Sequence, residues 1–228
     1  MNTDRNAPPL NPLPPVVWIL ALPLIAMEAV LSFGAAGIAG GPDAVGWRID
    51  AMQRFAFSPE LFRAMWDQGT WPQQGVVRFV TYPLVHWNLT HALFVVVFLL
   101  ALGKYVGEVF RWWALLAVVV AASVIGAAVY GALPFVKAPL VGGYPGVYGL
   151  IGAFTFILWA RLGQTGANRA RAFVLIGFLL GVEMLFGLLF GGGPAWIANL
   201  AGFATGFALS FVVSPGGWRA VLARLRAR

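Results

Sequence analysis

The sequence contains no cysteine, only two histidines and few charged residues. Without cysteine the chain has no disulfide, no thiolate metal site and no cysteine nucleophile. The histidines, His86 and His91, leave little scope for a zinc or haem centre, so we expect neither a metal nor another cofactor. Serine is missing from residues 124–209, which removes the commonest hydroxyl nucleophile from that part of the chain.

Charge is scarce throughout the chain, and apolar residues are abundant. Only 10% of the residues are charged and 60% are hydrophobic, whereas soluble domains have about 25% and about 45–50%. So much apolar surface requires lipid as the solvent, and the apolar residues are spread in blocks along the whole chain. The composition predicts a polytopic integral membrane protein.

Six apolar blocks are candidate membrane spans, and helices are the default because lipid offers no hydrogen-bond partner to a backbone. The sequence therefore predicts an all-α membrane domain over residues 16–213. A disordered cytoplasmic tail (residues 1–15) precedes this domain, and a basic cytoplasmic tail (residues 214–228) follows it. The six blocks are residues 16–37, 91–107, 112–133, 146–159, 173–190 and 195–213.

Residues 41–78 differ from the apolar blocks because acidic and basic side chains balance there, with aromatic residues between them. Ser58, Pro59 and Glu60 are typical of a helix start, as the N-cap, the first position and an acidic first-turn residue. Charge with interleaved aromatics predicts amphipathic helices on the membrane surface, in the first periplasmic loop. An ordinary extramembrane loop is the alternative.

The loops between the blocks predict the orientation of the chain. Cytoplasmic loops of membrane proteins carry the excess of Lys and Arg, and ten of the fifteen cations here fall on one predicted side. Both termini are then cytoplasmic, consistent with an even number of spans. We expect a multi-pass protein of a bacterial inner (plasma) membrane. Its net charge of +7 comes mostly from basic residues in the predicted cytoplasmic loops, where they would contact anionic membrane lipids. We therefore expect membrane lipids as partners and no binding of nucleic acid.

Three motifs occur in a fixed order: RFVTYPLVHWNLTHALFV (78–95), GGYPGVYGLIGA (142–153) and ANLAGFATG (198–206). Together they resemble the entry to helix 2, the start of helix 4 and the helix 6 signature of the rhomboid intramembrane serine proteases. The resemblance covers roughly residues 16–213. It implies a six-transmembrane-helix rhomboid-like bundle.

Small residues in the second and third motifs predict close helix packing. Gly202 and Gly206 share a helical face with Asn199, and Gly146 and Gly149 give the other helix a thin surface. The resemblance implies that helix 4 packs on helix 6 through these surfaces. A small-residue face for dimerisation is the alternative.

The residues that perform proteolysis in this family are missing. The nucleophilic serine opens helix 4, and here that position is Tyr144 or Pro145, depending on the alignment register. The helix 6 base is replaced by Asn199, whose amide has no titratable lone pair near neutral pH. The helix 2 asparagine that assists the oxyanion is Val95, and only His86 and His91 are retained. We interpret the chain as a pseudoprotease.

Two acidic residues, Glu28 and Glu183, lie in the middle of predicted spans that contain no Lys or Arg. Desolvation favours the neutral form, so we expect each to be a hydrogen-bonded acid. Each is either a polar contact that holds helices together or a proton or ligand site.

Inactive relatives of rhomboids bind membrane clients, and the resemblance therefore implies a partner that is the transmembrane helix of a client or of a complex subunit. The predicted function is client binding, or a role in the assembly or quality control of membrane complexes. The alternative is an active intramembrane serine-type endopeptidase with relocated catalytic residues. The sequence does not determine the oligomeric state.

Overall fold

The computed structural model describes residues 12–190 and 192–217, which are largely helical. The predicted tails, residues 1–15 and 214–228, lie mostly outside the described residues. In those ranges the 3-10 helices are Pro42–Gly46, Tyr82–Leu84 and Arg169–Phe173. The α-helices there are α1 (Pro15–Ala35), α2 (Trp47–Phe55), α3 (Pro59–Gln68), α4 (Gln73–Val76), α5 (Arg78–Thr81), α6 (Leu89–Gly107), α7 (Trp112–Ala132), α8 (Tyr144–Gln164), α9 (Val174–Phe190) and α10 (Ala195–Val213).

Five of these helices, α1, α6, α7, α8 and α10, are long and apolar enough to cross a membrane. The chain is therefore a multi-pass membrane protein, as its composition predicts. The remaining predicted span is α9, whose 17 residues cover about 26 Å at about 1.5 Å per residue. Because this length is below the ~30 Å of a hydrocarbon core, a total of six spans stays a prediction.

Helices α7, α8 and α10 form the centre of the bundle, and each packs against the other two. α6 packs on α8, and α1 packs on α6. In contrast, α9 makes sparse contact with α10 and with the preceding 3-10 helix. This packing leaves a cavity over α8, bounded by α6, α9 and α10.

The backbones of α8 and α10 touch, and glycines make that possible. A Cβ atom on Gly202 would strike the carbonyl of Pro145, and one on Gly206 would strike the carbonyl of Gly149. Gly149 also faces Ala122 of α7. Close approach of this kind provides the van der Waals contact that holds membrane helices together.

Gly146 faces a different neighbour from the two glycines of α10. A Cβ atom there would lie 2.8 Å from the hydroxyl oxygen of Ser123 and 3.1 Å from a methyl of Val119, both in α7. The glycine face of α8 therefore packs against α7 as well as against α10. The sequence pattern does not separate these neighbours, because helical spacing identifies a face but not its partner.

Loop 1, defined as residues 41–78, folds into short helices, as predicted for this segment. The predicted start of α3 is confirmed, since Ser58 accepts a hydrogen bond from the Leu61 amide at 3.2 Å and Pro59 is the first helical residue. The position of these helices relative to a membrane surface stays a prediction.

Loop 1 is fastened to the end of α7 and to the segment that follows it. Phe57 and Leu140 exchange two backbone hydrogen bonds of 3.0 and 2.9 Å. The Arg63 guanidinium donates to the carbonyls of Gly131, Leu133 and Val136 at 2.9–3.0 Å. These carbonyls lie at or beyond the C-terminal end of α7, where the helix offers no backbone N–H to bond them. Arg63 thus links loop 1 to the chain that leads into α8.

Candidate functional site

Tyr144, the first residue of α8, lies against the first turn of α6. Its ring stacks on the ring of His91 with centroids 5.0 Å apart. The turn before α8 permits this contact because Gly142 has a φ of +91° and a Cβ atom there would lie 2.6 Å from the His91 ring. Glycine at this position therefore lets the start of α8 pack against His91 and His86, the histidines of the first motif.

The two candidate positions for the missing serine have different surroundings. Tyr144 lines the cavity bounded by α6, α8, α9 and α10, as does Asn199. Pro145 is buried, with its carbonyl against Gly202 and its Cβ facing Gly126 of α7. Tyr144 thus shares the cavity with Asn199, the predicted counterpart of the family's base, whereas Pro145 packs against α7 and α10.

This cavity, which we call the α6/α9 cavity, has a volume of about 460 Å³. Most of its lining is apolar, and the polar groups come from Tyr144, Tyr148, Glu183 and Asn199. The apolar lining residues are Phe94, Phe98, Val147, Ile151, Leu179 and Val182.

Glu183 joins three helices inside the α6/α9 cavity. Its carboxylate accepts hydrogen bonds from the Asn199 amide at 3.0 and 3.3 Å and from the Tyr148 hydroxyl at 3.0 Å. The side-chain amide of Asn199 is therefore hydrogen-bonded to a carboxylate from α9. Tyr148 was not singled out from the sequence, although it lies one turn after Tyr144 and so on the same face of α8.

Val95, the predicted counterpart of the oxyanion-assisting asparagine, has a side chain that supplies no hydrogen-bond donor. The side chain is fully buried, and a Cβ atom on Gly143 would lie 2.8 Å from its Cγ1 methyl. A hydrocarbon side chain therefore occupies the space beside the turn that leads into α8. Stabilisation of an oxyanion requires hydrogen-bond donors at such a point.

His86 is fully buried beside His91, with ring centroids 5.3 Å apart. Neither of its ring nitrogens has a hydrogen-bond partner in the described part of the chain. Burial lowers the pKa of His86 to about 4, because a buried ring loses the hydration of its charged form. The charge of Arg48 and the neighbouring His91 act in the same direction, and Glu28 opposes them.

His91 has a structural role at the start of α6. Its backbone amide donates to the Asn88 side chain at 2.9 Å, which caps the helix, and its Nδ1 accepts from the Trp87 amide at 3.4 Å. Within residues 12–190 and 192–217, no group of three acidic, histidine or cysteine side chains is placed to hold a metal ion.

The prediction of a neutral Glu28 without a cationic partner is wrong. Arg48, in α2 of loop 1, forms a two-pronged ion pair with this carboxylate at 2.7 and 3.0 Å, and Ser32 donates to it at 2.7 Å. Arg48 also donates to the His86 carbonyl at 2.8 Å. The sequence of the span does not reveal this partner, because Arg48 lies in a different segment of the chain. Glu28 therefore holds loop 1 against α1 and lies outside the α6/α9 cavity.

Ser123 does not have the surroundings of a serine protease nucleophile. Ser123 donates to the Val119 carbonyl of its own helix at 2.9 Å, and it lines a separate apolar cavity of about 130 Å³. No histidine or carboxylate lines that cavity. In the α6/α9 cavity the hydroxyls are those of tyrosines, whose only acidic or basic neighbour among the lining residues is Glu183.

The helical membrane fold agrees with the comparison to known protein families. The family described as Rhomboid domain matches residues 73–216, which includes all three sequence motifs. No curated protein matches the chain. A match over this length, more than half of the 228 residues, establishes the relationship. The chain belongs to the rhomboid family.

Proposed function

We propose that this rhomboid-family protein is a pseudoprotease that binds transmembrane helices of membrane clients. The observation that carries the proposal is the content of the α6/α9 cavity. The cavity is lined by Tyr144 and Asn199, the residues that we align with the family's serine and histidine, and the Asn199 amide donates a hydrogen bond to Glu183. Without a nucleophile and its base, most of a protease's acceleration is lost, commonly a factor of about 10⁶ or more.

The packing of α9 supports binding of a helix from the bilayer. α9 makes sparse contact with the rest of the described bundle, and exposed apolar side chains such as Phe178 and Leu185 face away from it. A mobile or displaced α9 would open the cavity sideways toward lipid, where a client helix lies. Binding in the bilayer then relies on shape and on buried polar contacts.

Photo-crosslinking in native membranes tests this function. A photoreactive amino acid at Val182, in the cavity wall, should give reproducible adducts with membrane proteins. The matched control is Ile19, which is exposed on α1 and absent from the lining of the cavity. Adducts with lipid alone at position 182, or the same protein adducts at both positions, would contradict client binding.

The alternative function is an intramembrane endopeptidase with relocated residues, and one contact favours it. The Tyr148 hydroxyl lies 3.0 Å from the Glu183 carboxylate, which is a hydroxyl next to a base. We expect no labelling by a fluorophosphonate probe and no cleavage of a transmembrane substrate by the unaltered protein. Labelling that disappears in Tyr148→Phe would overturn the pseudoprotease proposal.

Restoring the missing dyad provides a positive control for that experiment. In the double variant Tyr144→Ser with Asn199→His, the new serine would face the new histidine across the α6/α9 cavity. Glu183 would remain beside the histidine to orient it. We expect weak fluorophosphonate labelling of the double variant and none of either single variant, because a serine nucleophile needs its base.

A further inference from the structure

Glu183 has no cationic partner among the residues that the structure describes. The ion pair found in the described residues joins Arg48 to Glu28, and no Lys or Arg is among the residues that line the α6/α9 cavity. Asn199 and Tyr148 donate hydrogen bonds to Glu183 but bring no charge. An ionisable group in the middle of an apolar cavity is costly to maintain and is commonly paired in membrane proteins.

The position of Glu183 and the lining of the cavity indicate which kind of cation would pair with this carboxylate. Glu183 is the tenth of the 17 residues of α9, so its carboxylate lies near the middle of this helix. The cavity walls offer the rings of Phe94 and Phe98 and the aliphatic side chains of Leu179 and Val182. Such walls suit the carbon stem of a long basic side chain, whose charged end would then reach the carboxylate.

We propose that the α6/α9 cavity selects transmembrane helices that carry a Lys or Arg near the middle of the bilayer, and that Glu183 forms the ion pair with it. This inference rests on the proposed client-binding function and adds the chemistry of the client. A basic residue is itself costly in lipid. A nearby Lys or Arg favours the ionised form of Glu183, and the resulting ion pair offsets the cost of both charges. A lipid chain or a wholly apolar helix would contact the walls but leave Glu183 without a cation.

The absence of cysteine makes a direct test possible. A Val182→Cys variant is reconstituted in phosphatidylcholine vesicles with designed Leu/Ala transmembrane peptides. Each peptide has one cysteine and a central Lys, Leu or Glu. Disulfide yield under a mild oxidant is the readout. We expect the Lys peptide to react about tenfold more than the Leu peptide, since close opposite charges with little water couple by at least this factor.

Substitutions of Glu183 test whether its carboxylate causes the preference for the Lys peptide. Glu183→Gln, combined with Val182→Cys, should remove the preference for the Lys peptide. The control Glu60→Gln, an exposed carboxylate of α3, should keep it. Glu183→Lys should reverse the preference, so that the Glu peptide reacts best. If a Glu183 variant does not fold, the comparison of the three peptides in the Val182→Cys protein still decides the question.

The outcomes separate this inference from the function on which it rests. Equal yields for the Lys, Leu and Glu peptides at position 182, all above those of Ile19→Cys, would overturn charge selection and leave client binding in place. Yields at position 182 no greater than at position 19 for every peptide would overturn both. A Lys preference that persists in Glu183→Gln would overturn the role of Glu183.

Discussion

The ion pair between Arg48 and Glu28 links loop 1 to the first membrane helix. Both side chains are largely buried, with 16% and 6% exposed, and the guanidinium also reaches the carbonyl of His86. A single arginine therefore fixes α2 to α1 and to the residues just before α6. Removing one member of such a pair leaves the other charge buried and uncompensated.

We expect Arg48→Ala to lower the free energy of unfolding by about 3–5 kcal/mol, because Glu28 would lose its counter-charge. The matched control is Arg54→Ala in the same helix, where the arginine is exposed, and its effect should stay within about 0.5 kcal/mol. Thermal unfolding in detergent micelles, followed by tryptophan fluorescence, measures both. Equal melting temperatures for the two variants would contradict this role of Arg48.

His86 should make the stability of the protein depend on pH. Its pKa is about 4 in the folded protein and about 6.5 in an unfolded chain, so the unfolded state binds more protons between these values. The stability contributed by the neutral ring is therefore present at pH 7 and is lost as the pH falls through this window. For this one group, the loss from pH 7 to pH 5 is about 2 kcal/mol.

The measurement is chemical or thermal unfolding at pH 7 and pH 5 for the unaltered protein and for His86→Gln. Both proteins contain the same carboxylates, so the difference between their two pH slopes reports on His86 alone. The glutamine variant should lose about 2 kcal/mol less than the unaltered protein. Identical slopes would show that the pKa of His86 is the same in the folded and the unfolded state.

At the scale of the elements, the contact of α8 with α10 is set by backbone approach. Adding one methyl at Gly206 would place it against the carbonyl of Gly149, and backbone has no rotamer by which to move away. We expect Gly206→Ala to destabilise the protein by about 3 kcal/mol, the upper range for overpacking.

The control for this prediction is Gly177→Ala in α9, because nothing lies within 4 Å of a Cβ atom at that position. There the substitution should be neutral or stabilise the helix by up to about 1 kcal/mol, as alanine is the better helix former. Melting temperatures in detergent compare the two. A larger loss for Gly177→Ala than for Gly206→Ala would contradict the packing of α8 on α10.

At the scale of the whole molecule, the distribution of cations predicts which ends of the helices face the cytoplasm. Single cysteines can be placed at Thr70 in loop 1 and at Thr165 after α8, since both positions are exposed. We expect a membrane-impermeant maleimide to label position 70 in intact spheroplasts and position 165 only after permeabilisation. The reverse pattern would invert the predicted orientation.

Much of the fold could be predicted because it follows from local or compositional signals. The helix start at Ser58 depends on its own side chain and the next few residues, and the apolar blocks depend on length and composition. Their ends were less accurate. The block predicted as residues 146–159 is the longer helix Tyr144–Gln164, because Tyr144 and Pro145 are compatible with a first turn and the polar Arg161 and Gln164 extend the last.

The candidate site was predictable only in part. The motifs identified Tyr144 and Asn199 as positions of interest, and its place in the middle of a predicted span identified Glu183, but no sequence rule places a residue of α9 in contact with one of α10. The pairing of Glu28 with Arg48 was missed for the same reason, since 20 residues separate them. Contacts between segments depend on how helices rotate and pack, and single-segment patterns do not contain that information.

From the amino-acid sequence alone it could be predicted that the chain lies in a membrane, that its spans are helical and that the positions aligned with the family's catalytic serine and histidine hold other residues. Those results depend on composition, on the hydrogen-bonding needs of a backbone in lipid and on the identity of single residues. The packing of the helices determines that Tyr144 lines the cavity while Pro145 is buried between helices, and that Glu183 accepts a hydrogen bond from Asn199. These are relations between separate helices, which close packing fixes.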